Sequence, residues 1–221
     1  MCVYISNKSI KIYFFSKQNM LQNKIKKVDY KLFKEFNGKD FLIPNQIHST
    51  NVNFSLKPGQ INRCDGVFTS NPKVVCSIKV ADCMPIFFAH KYSSFFGVIH
   101  AGWKGLTNGI LKNTSILLNS MKFKLTDFDI FIGPSIQKCC FEVSEDVLDR
   151  FPIKYVKQKS TGKFKIDLQK IAFDELATFG FNDNRIKISE DCSYCKEDKY
   201  FSYRRDGSNT KRMIGFICFE A

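Results

Sequence analysis

The chain has 221 residues, 44% of them hydrophobic and 25% charged, which suffices for one sizeable soluble domain and is short for two. Its +13 formal charge is scattered from Lys8 to Lys211, with no run of five and no helix-turn-helix or RNA-binding pattern. The charge therefore reads as a solvated basic surface that attracts anionic substrates, and no specific nucleic-acid partner is expected. No apolar stretch approaches the ~20 residues that span a bilayer, and residues 1–15 lack a secretory leader's apolar core and cleavage site, so no membrane partner is expected. The nine cysteines are odd in number and include the adjacent pair Cys139-Cys140. They read as reduced thiols in a cytoplasmic protein.

Alternation at Ile10, Ile12 and Phe14 predicts a first strand, and a lysine-rich helical segment follows over 19–36. Residues 41–43 form a short strand running into His48, and Asp65-Gly66 turns into a strand at 67–69. Apolar runs at 74–80, 84–89 and 95–99 predict three more strands, the last delivering His100. A helix is expected from 102–109 onward to about Met121, with Ile110, Leu111, Ser115, Leu117 and Leu118 on one face. A strand at 128–132 stops at Gly133-Pro134, and Ser144 caps a helix over 145–150. An amphipathic helix at 168–179 is closed by Gly180, and 213–219 is a last strand. Without regular βαβ alternation, the pattern predicts an α+β protein in which helices flank mixed sheets.

Three segments carry most of the chemistry: Asn45-Gln46-Ile47-His48, Val80-Ala81-Asp82-Cys83 and His100-Ala101-Gly102-Trp103. They hold two of the chain's three histidines. Each adjoins an apolar run, so each can present its side chain at a sheet edge. Two imidazoles and one thiolate suit Zn²⁺ with a fourth position left open, the catalytic form of a zinc site. The alternative is that His48 and His100 are polar strand-end residues and Cys83 a buried apolar one. His90 lies in a polar turn and is expected to be exposed. Cys139-Cys140 is expected to pack behind the sheet as small apolar groups. Cys192-x-x-Cys195 has redox or zinc-knuckle spacing, but no second pair follows it at a matching distance.

Six ordered segments then resemble a known family: Gln46-Ile47-His48; Cys64-Asp65-Gly66-Val67; Ala81-Asp82-Cys83-Met84-Pro85; His100-Ala101-Gly102-Trp103-Lys104-Gly105; Ile132-Gly133-Pro134-Ser135-Ile136 with Cys139-Cys140-Phe141-Glu142-Val143; and Tyr200-Phe201-Ser202-Tyr203-Arg204-Arg205-Asp206. The chain is similar to the YfiH-like, laccase-domain or "polyphenol oxidase" family, over roughly residues 40–220. The resemblance implies a single layered α/β/β/α domain over residues 1–221 and a metal held by His48, Cys83 and His100, zinc with copper as the alternative ion. It also implies phosphorolysis of purine nucleosides (adenosine, inosine, guanosine, methylthioadenosine) and hydrolytic deamination of adenosine. The chain departs from the family in the shortened stretch Phe15-Ser16-Lys17-Gln18-Asn19, where relatives carry a loop that helps to close over substrate. Lys104 replaces a usual arginine, and Lys211 a glycine. A second subunit could supply the missing wall, which makes a homodimer one of the expected arrangements.

Phosphorolysis needs cations and backbone donors around phosphate. The start of the helix at 102–105, with Lys104, Arg204 and Arg205, is the expected anion site. A surface ion pair with Asp206 is the alternative for the arginines. Asp82, beside the metal cysteine, is expected to orient a ligand histidine, with a turn or capping role as the alternative. A different class of function remains open: a metal-free Cys-His hydrolase with Cys83 as nucleophile and His100 as base. A true multicopper laccase fails arithmetically, since coupled copper centres need more imidazoles than three.

Overall fold

A computed structural model describes residues 2–5, 9–22, 36 and 38–220. Two mixed six-stranded sheets form its centre. The first runs Cys2–Ile5, Ile10–Phe15, Met213–Phe219, Val74–Val80, Asp40–Pro44, Gly59–Ile61. The second runs Ile186–Ile188, Phe128–Ile132, Met84–His90, Phe96–Ala101, Gly66–Thr69, Val52–Phe54. A small antiparallel sheet of Glu142–Ser144, Lys163–Ile166 and Val156–Ser160 lies beside them.

The strand Met84–His90 explains the architecture in miniature. Successive side chains point to opposite faces. Phe87 and Ala89 enter the core shared by the two sheets, whereas Met84, Ile86 and Phe88 enter the core under the helices. Both faces are covered, so the strand is apolar throughout rather than alternating, and all seven of its residues are buried. The sheets approach closely at Gly215, where a Cβ would stand 2.5 Å from the Phe87 ring.

Helices Ile110–Ser120 and Leu168–Phe179 cover the outer face of the second sheet, burying Ile110, Leu111 and Leu118 from one and Leu168, Ile171 and Leu176 from the other. Asp167 caps the second helix by accepting from the Lys170 N–H, and Gly180 ends it at φ +102°. On the far side, Phe36 covers the first sheet, 4.8 Å from Phe216 and 5.2 Å from Tyr13 between ring centroids. The helix expected over 19–36 is seen as Lys17–Gln22, and most of its remainder lies outside the described residues. No helix among the described residues is long and apolar enough to cross a membrane.

Several expectations are corrected. The helix expected to run unbroken to Met121 is two helices, Trp103–Thr107 and Ile110–Ser120, because Gly109 adopts φ +96° and redirects the chain. Residues Glu145–Arg150 form a 3₁₀ segment in which Ser144 makes no capping bond. His90 is buried, not exposed: it ends its strand under the helices, with the rings of Phe123 and Phe128 at 4.8 and 5.1 Å. Cys139 is exposed, so the Cys139-Cys140 pair does not pack behind a sheet. The small sheet at 142–166 has a mostly polar sequence, and no apolar periodicity announced it.

Burial pushes Glu175, on helix Leu168–Phe179, up to about 7. A raised carboxyl pKa means the folded state holds its proton longer than the unfolded chain. Stability is therefore highest below the free value of 4.5 and falls as pH rises to about 7. Glu175→Gln should stabilise the fold at pH 8 by about 1 kcal/mol after allowance for partial solvent screening, raising Tm there and leaving it unchanged at pH 4. Equal shifts at both pH values in thermal melts would contradict this.

Candidate metal centre

The three expected ligands meet at one end of the two packed sheets. Strand Asp40–Pro44 of the first sheet leads into a turn that Gln46 fixes by exchanging hydrogen bonds with the Lys79 backbone, at 2.7 and 2.9 Å. Cys83 sits in the short crossing from Val74–Val80 in the first sheet to Met84–His90 in the second. His100 projects from strand Phe96–Ala101 and is 4% exposed.

Asp65 organises this junction. Its fully buried carboxylate accepts the backbone N–H groups of Ile47, His48 and Ser49 at 3.1, 3.0 and 2.7 Å, and the Ser49 hydroxyl at 2.7 Å. The same carboxylate lies 2.8 Å from His100 Nδ1. One side chain thus sets both the loop that carries His48 and the ring of His100. The bonds also hold His48 at φ +59°, a left-handed conformation that costs a non-glycine residue about 1–2 kcal/mol. Burial opposes the Asp65 charge, but His100 and Ser49 outweigh it and bring its pKa down to about 2.

The ligand atoms of His48, Cys83 and His100 all lie within 4.8 Å of one another. Cys83 Sγ is 3.9 Å from His48 Nε2, and the two imidazole rings are 4.7 Å apart at 70°. Tetrahedral zinc places sulfur and nitrogen ligands about 3.5 Å apart, so small adjustments close the set on one ion. Asp65 at Nδ1 leaves His100 Nε2 as the donor toward that ion. Burial disfavours the Cys83 thiolate, but His100 and then His48 outweigh it, and its pKa falls to about 6. Burial likewise opposes the His100 imidazolium; the Cys83 thiolate and Asp65 prevail and raise it to about 9. The junction is therefore built to hold a thiolate.

Gly102 completes the cradle. A Cβ there would stand 2.9 Å from Cys83 Sγ and 3.1 Å from His48 Cδ2. Gly102→Ala should cost at least tenfold in metal affinity while leaving far-UV circular dichroism unchanged, because it displaces two donors and no core residue. Normal metal retention on competitive chelation would show that the donors shift freely.

A cleft of about 810 Å³ opens over the three ligands, a size that suits small-molecule sites. Ile136, Phe141, Leu168 and Tyr203 supply apolar and aromatic wall, and Lys79, Lys104, Arg204 and Arg212 supply positive charge. The Arg204 guanidinium lies 5.4 Å from the Phe141 ring centre, and its Nη1 donates to the Glu142 carbonyl at 2.9 Å.

Not every expected site residue takes its expected place. Arg205 does not line the cleft. Its guanidinium pairs with Asp206 and donates to the carbonyls of Ser193, Tyr194 and Tyr200 at 3.0–3.3 Å, which bind loops together. Asp82 orients no histidine. It accepts from Ser193 Oγ, Ser202 Oγ and the Arg204 N–H at 2.6, 3.0 and 2.7 Å, so it places Arg204. The histidine-orienting carboxylate is Asp65, whose sequence signal was the Cys64-Asp65-Gly66-Val67 segment. The helix behind Gly102 is only five residues long, so charge at Lys104 rests on the side chain more than on a helix dipole. Lys17, in the shortened stretch, donates to the Glu197 carbonyl and lies over Phe201, away from the cleft. Arg212 and Lys79 were not anticipated; each adjoins a strand end that delivers it to the rim.

Residues 18–220 match the family model described as multi-copper polyphenol oxidoreductase laccase. The chain belongs to this family. Among curated relatives, a purine nucleoside phosphorylase of Haemophilus influenzae is 33% identical over 79% of this chain and 72% of its own length. The purine nucleoside phosphorylase YlmD of Geobacillus stearothermophilus is 32% identical over 69% of this chain, and the match spans 59% of that relative. A crystal structure of a Neisseria meningitidis protein superposes with TM-score 0.82 at 25% identity, covering 100% of this chain and 99% of that one. The family's multi-copper description sits poorly with three histidines, one of which, His90, is buried among phenylalanines and outside the metal set.

Proposed function

We propose that this chain is a metal-dependent purine nucleoside phosphorylase with adenosine deaminase activity, in which His48, Cys83 and His100 hold one Zn²⁺. The observation that carries this reading is the convergence of three zinc-type donors with a cation-rimmed, aromatic-walled cleft. The purine nucleoside phosphorylase names of the relatives support it.

Tyr203, exposed at the rim, offers a face for a purine, and Lys104, Arg204 and Arg212 offer charge for phosphate. Phosphate held at this rim is positioned to attack the anomeric carbon as the bond to the base nitrogen breaks, yielding sugar 1-phosphate and free purine. A Zn²⁺ held by the three ligands would supply Lewis acidity and a nucleophile at neutral pH, as removal of the adenine amino group requires. Asp65 keeps the His100 donor nitrogen directed at the ion, and Asp82 fixes the Arg204 backbone. Copper is the alternative ion for the same donors.

The test is to incubate zinc-loaded protein with a nucleoside panel, with and without phosphate, and identify products by mass. Free base and sugar 1-phosphate should appear only with phosphate, and inosine should form from adenosine without it. Absence of both products would refute the reading. A dilution series in the same assay tests for a wall supplied by a second copy, since activity per chain would then fall on dilution.

One observation favours the metal-free alternative. Asp65, His100 and Cys83 form a carboxylate–imidazole–thiolate array of the kind a thiol hydrolase uses. Full activity in protein shown to be metal-free, abolished by alkylation of Cys83, would select that reading.

A further inference from the structure

Away from the cleft ligands, four thiols converge. The turn after strand Phe128–Ile132 brings Cys139 and Cys140 to the turn that carries Cys192 and Cys195, and all four sulfurs lie within 4.8 Å of one another. Cys195 Sγ is 3.2 Å from Cys140 Sγ and 3.6 Å from Cys139 Sγ. A zinc ion with four thiolates at about 2.3 Å separates its sulfurs by roughly 3.8 Å, so the cluster already has the dimensions of that coordination shell. The second pair that Cys192-x-x-Cys195 lacked downstream lies upstream, some fifty residues earlier in the chain.

The backbone around Cys192 is arranged for thiolate. The Gln137 N–H points at Cys192 Sγ at 3.5 Å, and backbone N–H groups of Tyr194 and Cys195 bond the same sulfur. Such N–H to sulfur bonds stabilise a negative ligand. Cationic side chains ring the two turns: Lys165 donates to the Cys139 carbonyl at 2.6 Å, Arg204 to the Cys140 carbonyl at 3.4 Å, and Arg205 to the Tyr194 carbonyl at 3.0 Å. These charges offset the net −2 of one Zn²⁺ with four thiolates. Cys192 is buried while Cys139 and Cys195 are exposed, so an ion can enter from solvent and close on the buried sulfur.

We propose that Cys139, Cys140, Cys192 and Cys195 form a second, structural Zn²⁺ site, closed by four thiolates and separate from the cleft. Binding releases the thiol protons to solvent and needs no redox partner. The ion would staple two segments that also meet through the bridge between Ser135 and Cys192 and through the bonds of Gln137 to Cys192 and Ser189. Those segments carry Ile136 and Phe141 of the cleft wall and the carbonyls that hold Arg204. The site therefore holds the wall and the rim arginine in place without touching substrate.

The experiment counts zinc per chain in protein purified under reducing conditions without chelator. Wild type should hold two, Cys83→Ser one, Cys195→Ser one, and the double variant none. Because the Cys83→Ser arm isolates the four-thiol site, failure of the cleft reading and failure of this one are distinguishable. Should Cys195→Ser fold poorly, cobalt decides on Cys83→Ser protein, whose cleft has no thiolate. Intense thiolate-to-cobalt charge-transfer bands, scaling with four sulfurs, should persist. Zinc content equal in wild type and a folded Cys195→Ser variant, or no such bands, overturns the proposal. So does reduced protein that takes up no zinc at the cluster and instead forms a Cys140–Cys195 disulfide, seen as a two-hydrogen mass loss.

Discussion

Asp65→Asn should weaken metal binding by roughly ten- to hundredfold, the loss typical of a carboxylate that orients a ligand histidine, although Asp65 touches no metal. The amide would point N–H groups at donors: three backbone N–H groups, a hydroxyl and His100 now share the two oxygens. Breaking a buried, fully bonded charge costs about 3–5 kcal/mol, so Tm should drop as well. Cys83→Ser and His100→Ala should lose the cleft ion outright with a smaller loss of stability, whereas Asp82→Asn should retain it. The pH dependence has a defined sign. The folded pKa of Asp65 lies at about 2 against 3.8, so its contribution is full above 3.8 and is lost as pH falls toward 2. The Asp65→Asn variant should lack that acid limb in melts of metal-free protein. Equal zinc affinity for Asp65→Asn and wild type would remove Asp65 from the centre.

Arg204→Ala should raise the phosphate requirement of phosphorolysis by roughly ten- to hundredfold, the equivalent of a charge-assisted contact of about 1.5–3 kcal/mol. Its metal content should not change, because Arg204 borders the cleft and is not a ligand. Arg205→Ala should show the reverse pattern: a lower Tm from three released carbonyls, with phosphate dependence unchanged. Steady-state kinetics against phosphate on both variants separate them. An unaltered phosphate dependence in Arg204→Ala would shift the role to Lys104 or Arg212.

Much of the fold was legible because burial wrote it into the sequence. Strands Val74–Val80, Phe128–Ile132 and Met213–Phe219 and helix Leu168–Phe179 have the expected bounds, since apolar runs and a terminal glycine mark them. The ligand trio was legible because histidine is scarce in this chain and the six family-like segments singled out Cys83 among nine cysteines, and the structure gathers His48, Cys83 and His100. What stayed hidden depends on direction rather than on type. Arg204 and Arg205 are neighbours with identical chemistry, and only the short helix Tyr203–Asp206 sends one to the cleft and the other to a carbonyl cage. Asp82 and Asp65 could each have served a histidine, and a left-handed φ of +83° turns Asp82 away. The four-thiol cluster depends on pairing two turns distant in sequence, which no local period encodes.

The cleft trio draws its members from both central sheets, and this gives an ion there mechanical leverage over the whole molecule. His48 extends a strand of one layer, His100 belongs to the other, and Cys83 marks the crossing between them. With an ion bound there, parting the layers would mean giving up coordination, and occupancy would enter the unfolding equilibrium directly: free metal at a thousandfold above Kd would add about 4 kcal/mol. Resistance to heat and to proteases should then track the surrounding supply of the ion. Two batches of identical sequence would differ in durability according to what their growth medium contained.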